Sequence, residues 1–187
     1  MLLYLMRHGI AQDREDPESP PDPDRQLTRK GAQRTRAAAR GLRALGVDPG
    51  AILTSPYLRA LATAEGVARE LGFSEDAITQ TEALLPDTAP ARFFEELGRS
   101  GAGEVIAVGH APSIDELCAY ALGGGRAPFT ELRKAGVACI QLEDPAAPQG
   151  RLVWLLEPRM LRGLGKGAGK RTVKRAAKAE RKPADED

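Results

Sequence analysis

Only two histidines, His8 and His110, occur in the 187 residues, and each directly follows a short apolar run. Leu2 to Met6 leads into Arg7-His8-Gly9, and Val105 to Val108 leads into Gly109-His110. A neutral imidazole is a competent nucleophile near pH 7, where an unperturbed histidine is largely deprotonated. Its attacking nitrogen must be bare, so the other ring nitrogen should donate to a fixed acceptor that holds the tautomer. Arg7 stands beside His8, and Arg59 comes shortly after a third apolar run, Ala51 to Leu53. Two guanidinium forks match phosphate geometry bidentately, where lysine would act as a point charge. Phosphoryl transfer asks mainly for positioning and for positive charge around the equatorial oxygens. His110, when protonated, adds a further donor, and Gly9 is expected to let the backbone come close to the bound group. For each residue taken singly, the competing reading is a satisfied, half-buried histidine or a solvated surface arginine.

The elements must bring these groups together. The apolar runs are too short for helices and suit buried parallel strands. Ligands of open α/β sheets collect at the carboxyl ends of such strands, so both histidines are expected to face one crevice. Ser55 reads as a helix N-cap with Pro56 at the first helical position. Arg59 then lies about one turn in, where helical side chains lean back toward the N-terminus and any phosphate held there. Ser113-Ile114-Asp115-Glu116 fits a capping box directly after His110. Arg14 to Asp24 is rich in proline and acidic residues and reads as a loop bordering the crevice. Thr28 caps a helix to about Ala44, stopped by Gly46. A helix from Pro56 to Leu71, a strand near Ile78 to Ala83, a helix from about Ala91 to Leu97, a strand from Glu104 to Val108 and a helix from Pro112 to Leu122 follow. Val137 to Leu142 and Leu152 to Leu156 complete the pattern as two strands. The sum is an α/β fold, a three-layer α/β/α sandwich with a mostly parallel central sheet.

The length suits one domain with a sizeable core and an appendage. No apolar stretch approaches a membrane span, and Leu2 to Met6 is too short for a signal-peptide core. Cys118 and Cys139 stand at no metal-like spacing in apolar settings, which reads as buried free thiols and a cytoplasmic setting. Two histidines and two scattered cysteines cannot assemble a zinc cluster, and no cofactor or metal is expected. Residues 162–187 carry nine Lys or Arg against four acids, which leaves 18 basic and 22 acidic side chains in residues 1–161. The expected organisation is therefore a catalytic domain over 1–161 and a basic, flexible tail over 162–187. That tail is either a solvated appendage or a contact for an acidic partner, RNA phosphates or an anionic membrane surface. It holds no aromatic residue, so base stacking is not expected.

Four stretches occur together in order: Arg7-His8-Gly9, Asp24-Arg25-Gln26-Leu27-Thr28, Ser55-Pro56-Tyr57-Leu58-Arg59-Ala60 and Val108-Gly109-His110-Ala111-Pro112. In this combination the chain, from Met1 to about Glu157, resembles the short branch of the histidine phosphatase superfamily. The resemblance implies a phosphoglycerate-mutase-like fold and a metal-independent phosphatase. It makes His8 the nucleophile that carries a covalent phosphohistidine, and Arg7, Arg59 and His110 the phosphate-binding groups. Arg25 matches a family pattern whose arginine faces the phosphate, the alternative being a salt bridge to a loop acid. The family's longer members place a general acid after the middle strand, where Glu82 and Asp87 are candidates here; helix entry and loop solvation explain either equally well. The implied substrate is phosphohistidine on a protein such as a phosphorelay domain, with a small-molecule phosphomonoester or an idle phosphate-binding scaffold as alternatives.

Overall fold

A computed structural model describes residues 1–125, 127–145 and 149–167. Its strands are β1 (Leu2–Arg7), β2 (Ala51–Thr54), β3 (Thr79–Gln80), β4 (Glu104–Gly109), β5 (Val137–Gln141) and β6 (Arg151–Leu156). Its helices are α1 (Arg29–Ala44), α2 (Leu58–Leu71), α3 (Pro90–Gly98), α4 (Ser113–Gly123) and a last one, α5, over residues 158–167. The sheet runs β3-β2-β4-β1-β5-β6. β1, β2, β3 and β4 are parallel, β5 runs antiparallel to β1, and β6 antiparallel to β5, so that β6 shares the direction of the first four.

β1 shows why the sandwich has three layers. Its residues alternate between faces, as strand geometry requires. Leu3 and Leu5 pack with Phe93, Phe94, Ile114 and Leu117 of α3 and α4. Tyr4 and Met6 pack instead with Ala38 and Leu42 of α1, Ala60, Ala64 and Val67 of α2, and Leu161 of α5. A strand buried on both sides needs apolar residues at every position, which is what Leu2 to Met6 provides.

The sequence reading of α1 holds: the Thr28 hydroxyl accepts the Gly31 N–H at 2.9 Å. Four expectations need correction. The strand expected near Ile78 to Ala83 is only two residues long and runs into a 3-10 turn, Glu82–Leu84. α2 begins at Leu58 with Tyr57 as N-cap, not at Pro56. The capping box at Ser113 does not form, since Pro112 is the N-cap of α4 and no side chain caps that helix. Finally, residues 162–167, expected to open a flexible tail, lie within α5, Gly163, Gly165 and Gly167 among them. Leu161 is fully buried, and a Cβ on Gly41 of α1 would sit 2.1 Å from the Leu161 carbonyl oxygen, so the two helices touch backbone to backbone. The boundary at 161/162 thus falls inside a helix; residues 168–187, the remainder of the basic stretch, lie outside the described residues.

Candidate active site

Strand register alone brings the histidines together. Arg7 of β1 pairs with Gly109 of β4, so His8 and His110 are the next residues beyond the carboxyl ends of neighbouring parallel strands. The His8 N–H donates to the Gly109 carbonyl at 3.0 Å, and the two imidazole centroids lie 5.1 Å apart. Both rings are buried. β2 contributes the third edge: Thr54 pairs with Val108, and the Ser55 N–H donates to the Val108 carbonyl at 3.0 Å. This carries the chain past Ser55 into α2, whose second residue is Arg59.

His8 Nδ1 lies 2.7 Å from the Gly9 carbonyl oxygen, which can only accept, so the ring proton resides on Nδ1. Nε2 is left with its lone pair and accepts from Arg59 Nε at 3.3 Å. Burial drives the His8 pKa down to about 3; the Gly9 hydrogen bond opposes this, and the Arg59 and Arg7 charges reinforce it. Burial, then His8 and Arg59, push His110 down to about 2. Both imidazoles are therefore neutral near pH 7. His110 Nε2 bonds Ser55 Oγ at 2.8 Å, while its buried Nδ1 has no partner among the described residues. The expected third donor is thus uncharged in this site.

The arginines are held from behind. Arg7 Nη1 donates to the Leu132 carbonyl at 2.8 Å. The loop carrying that carbonyl is fixed by buried Asp115, which accepts from the Leu132 N–H at 2.8 Å and the Thr130 hydroxyl at 3.0 Å. Arg59 is 3% exposed, its Cζ lies 5.0 Å from the Tyr57 ring centroid, and its Nη2 donates to Asp22 Oδ2 at 3.0 Å while Nη1 meets the Asp22 carbonyl. Arg25 grips the other oxygen, Asp22 Oδ1, through Nε at 3.0 Å and Nη2 at 2.6 Å. Arg25 is thus the partner of Asp22 while also lining the cavity. Thr63 ties strand end to helix, accepting the Gly9 N–H at 3.0 Å and donating to the Arg59 carbonyl at 2.7 Å.

These groups open into a cavity of about 540 Å³ lined by Arg7, His8, Arg25, Arg59, Asp87 and His110, with Asp13, Arg14 and Asp22 of the acidic loop on its border. The loop lies where the sequence put it. Gly9 does not line the cavity: its carbonyl and N–H serve His8 and Thr63, and a Cβ there would sit 2.3 Å from Thr35 Oγ1. Glycine is required by the approach of α1, and not by a bound group as expected. Of the two candidate acids, Asp87 reaches the cavity, with a left-handed φ of 62° and its N–H on Ser113 Oγ at 3.0 Å. Glu82 does not; it is exposed and pairs with Arg92 at 3.1 Å. The sequence reading passed over Asp22, Ser55, Thr63 and Asp115. The Asp22 to Arg25 spacing of three was a signal; the others act across tertiary contacts that no local pattern marks.

Among the described residues no group of three or more His, Cys, Asp or Glu could hold a metal ion, and no helix is long and apolar enough to cross a membrane. Cys118 and Cys139 are buried and free, and burial raises their thiols to about 12 and about 11.

Comparison with known proteins places this geometry. The sequence model of the histidine phosphatase superfamily (branch 1) matches residues 3–85. Phosphohistidine phosphatase SixA of Escherichia coli (strain K12) is 26% identical over 165 residues, 84% of this chain and 94% of that protein. This chain belongs to the histidine phosphatase superfamily. It is a phosphatase of the SixA-like branch. The structure of the protein histidine phosphatase SixA complexed with tungstate superimposes with a TM-score of 0.75 at 26% identity, covering 86% of this chain and 99% of that one. An uncharacterized protein of Picosynechococcus sp. (strain ATCC 27264 / PCC 7002 / PR-6) is 39% identical over 141 residues, 73% of this chain and 82% of that protein.

Proposed function

We propose that this phosphatase works through a covalent phosphohistidine on His8 and acts on phosphohistidine carried by another protein, such as a phosphorelay domain. The observation that carries the mechanism is the Nδ1 contact to the Gly9 carbonyl, which leaves Nε2 bare beside Arg59. In the first step the Nε2 lone pair bonds to phosphorus and the bond from phosphorus to the leaving imidazole breaks. That imidazole, protonated on its other nitrogen, departs neutral. In the second step a water oxygen attacks phosphorus, the bond to His8 Nε2 breaks and inorganic phosphate leaves. Arg7, Arg59 and His110 stabilise the equatorial oxygens, and the incoming dianion returns a proton to His110 by raising its pKa. Arg25 acts on the same oxygens through Asp22 and Arg59. These cations supply the charge the reaction needs, so EDTA is expected to leave the rate unchanged.

The substrate class follows from the acid. An alkoxide leaving group needs a placed proton donor, worth about a hundredfold or more. A protonated imidazole needs none. A SixA relative bears the name phosphohistidine phosphatase, and a SixA structure carries tungstate, a tetrahedral oxyanion. Buried free thiols at Cys118 and Cys139 suit a reducing, cytoplasmic setting. One observation favours a second reading, a small-molecule phosphomonoesterase: the Asp87 carboxylate borders the cavity on a left-handed backbone.

Turnover of phosphohistidine, an aryl phosphate and phosphoserine by wild type, His8→Ala and Asp87→Asn separates the two. His8→Ala is expected to lose more than about a hundredfold in kcat and the acid-labile, base-stable protein label. Asp87→Asn is expected to change phosphohistidine turnover less than about threefold. A preference for phosphoserine that collapses by about a hundredfold in Asp87→Asn would establish the phosphomonoesterase instead.

A further inference from the structure

A second cavity, of about 500 Å³, adjoins the His8 cavity along Arg7, Ile10 and Lys134, which line both. It lies between α1, the turn before β5 and the start of α5. Six cationic side chains face it: Arg7, Arg34, Arg133, Lys134, Arg159 and Arg162. Two acids oppose them. Glu157 is shared between Arg133 at 3.7 Å and Arg159 at 3.3 Å, and Glu131 is the other. Arg34, Lys134 and Arg162 form no ion pair among the described residues. This concentration of positive charge sits on a body, residues 1–161, with 18 basic and 22 acidic side chains.

A second observation points to a ligand. Thr35 lines this cavity and is 1% exposed, yet its hydroxyl has no hydrogen-bond partner among the described residues. Arg7 Nε, at the junction of the two cavities, is likewise buried and unpartnered. Buried polar atoms are nearly always satisfied. The Arg7 guanidinium N–H is thus unpaired at the junction of the two cavities, whereas the Thr35 hydroxyl faces Gly9.

Resting on the phosphohistidine reading above, we propose that the second cavity is a docking subsite for acidic side chains that flank the phosphorylated histidine of a protein substrate. The cations come from four separate parts of the chain, and Arg34, Arg133, Lys134 and Arg159 are exposed at the rim. Spaced charges of this kind fit several carboxylates along a polypeptide. Such complementarity sets partner choice and encounter rate more than it adds contacts. The shared wall of Arg7 and Lys134 makes the two subsites continuous, so one substrate spans both.

The test uses the full chain with charge reversals Arg34→Glu and Arg162→Glu, alone and together; neither residue lines the His8 cavity. Substrates are free phosphoramidate and three peptides of one length bearing phosphohistidine with Asp/Glu, Ser/Gly or Lys flanks. Phosphoramidate turnover should match wild type within about twofold, which also reports an intact fold. On the acidic peptide the double variant should lose at least about tenfold in kcat/KM, through KM, while the lysine-flanked peptide gains. Wild type should lose its preference for the acidic peptide as salt is raised. Equal kcat/KM for all three peptides with both proteins would overturn the subsite. So would a loss confined to small bisphosphates added as inhibitors, which would make it a small-molecule site. Failure of wild type to turn over phosphoramidate would instead overturn the phosphohistidine reading itself.

Discussion

The Asp22 carboxylate receives Arg25 on one oxygen and Arg59 on the other, so two of the guanidinium groups facing the cavity are already half neutralised. Burial would raise the Asp22 pKa, but the hydrogen bonds and charges of the two arginines outweigh it and hold the carboxyl below its ordinary range. Asp22 therefore has two opposed effects on a phosphate: it orients Arg59, and its charge repels the dianion. Asp22→Asn removes the charge and keeps an acceptor. Inorganic phosphate is expected to inhibit this variant about three- to tenfold more tightly, while kcat falls because the Arg59 fork is held less firmly. Competitive inhibition at two or three phosphate concentrations decides it; weaker inhibition in the variant would leave Asp22 as an orienting group only. The Asp22 to Arg25 half of this was signalled by their spacing, but the Asp22 to Arg59 contact was not legible, because it joins a 3-10 turn to a helix residue 37 positions on. His8 and His110 were legible for the opposite reason. A residue placed directly after a buried parallel strand has one place to go, and strand register does the rest. Glu82, a candidate acid for which a solvated position served equally well, is exposed and pairs with Arg92.

Apolar runs announced β1, β2 and β4, whose packing on both faces leaves no alternative pattern, and the Thr28 cap announced α1. The two misread helix starts share one cause. Ser55 and Ser113 are good caps by local rules, but the Ser55 hydroxyl binds His110 and the Ser113 hydroxyl accepts the Asp87 N–H. Ser55 Oγ also accepts the Tyr57 N–H at 3.3 Å, but the helix itself opens only at Leu58. α5 was missed because Gly163, Gly165 and Gly167 lower helix propensity. Burial of Leu161 against α1 overrides that penalty. Leu161→Ala is accordingly expected to cost about 2–5 kcal/mol in urea unfolding. A chain ending at Glu157 should lose more and precipitate or unfold near room temperature. Removal of 168–187, which hold none of the site residues, should leave phosphoramidate turnover and the unfolding midpoint unchanged. Equal stability of the chain cut after Glu157 and the chain cut after Gly167 would mean that α5 contributes nothing to the domain.

Burying two neutral imidazoles beside arginines makes the whole molecule sensitive to acid. His8 and His110 accept protons near their ordinary pKa of 6.5 when unfolded, but only at about 3 and about 2 in the native site. Between those values the unfolded chain binds protons that the native chain refuses, so stability falls as pH drops below about 6.5. Each histidine adds up to about 1.4 kcal/mol per pH unit to that slope, and the two together up to about 2.7. Asp22 acts in the same direction at lower pH, since its depressed pKa withholds a proton until the medium is more acidic than its ordinary value. Against a domain stability of about 5–15 kcal/mol, two such groups suffice to move acid unfolding up toward pH 4–5. Inorganic phosphate should oppose this by binding only the folded site. Urea unfolding of wild type and of the His8→Asn/His110→Asn double variant, at half-unit steps from pH 7.5 to 4.5, measures the slope. Wild type should lose stability steeply below pH 6.5, and the double variant should be flatter by up to about 2.7 kcal/mol per unit. Identical slopes would mean that both imidazoles titrate at about 6.5 in the native protein as they do in the unfolded chain, so that burial does not hold them neutral in acid. A protonated Nε2 has no lone pair to offer phosphorus, so in that case turnover through His8 should also fall as pH drops through 6.5, whereas a native pKa of about 3 keeps the nucleophile available there.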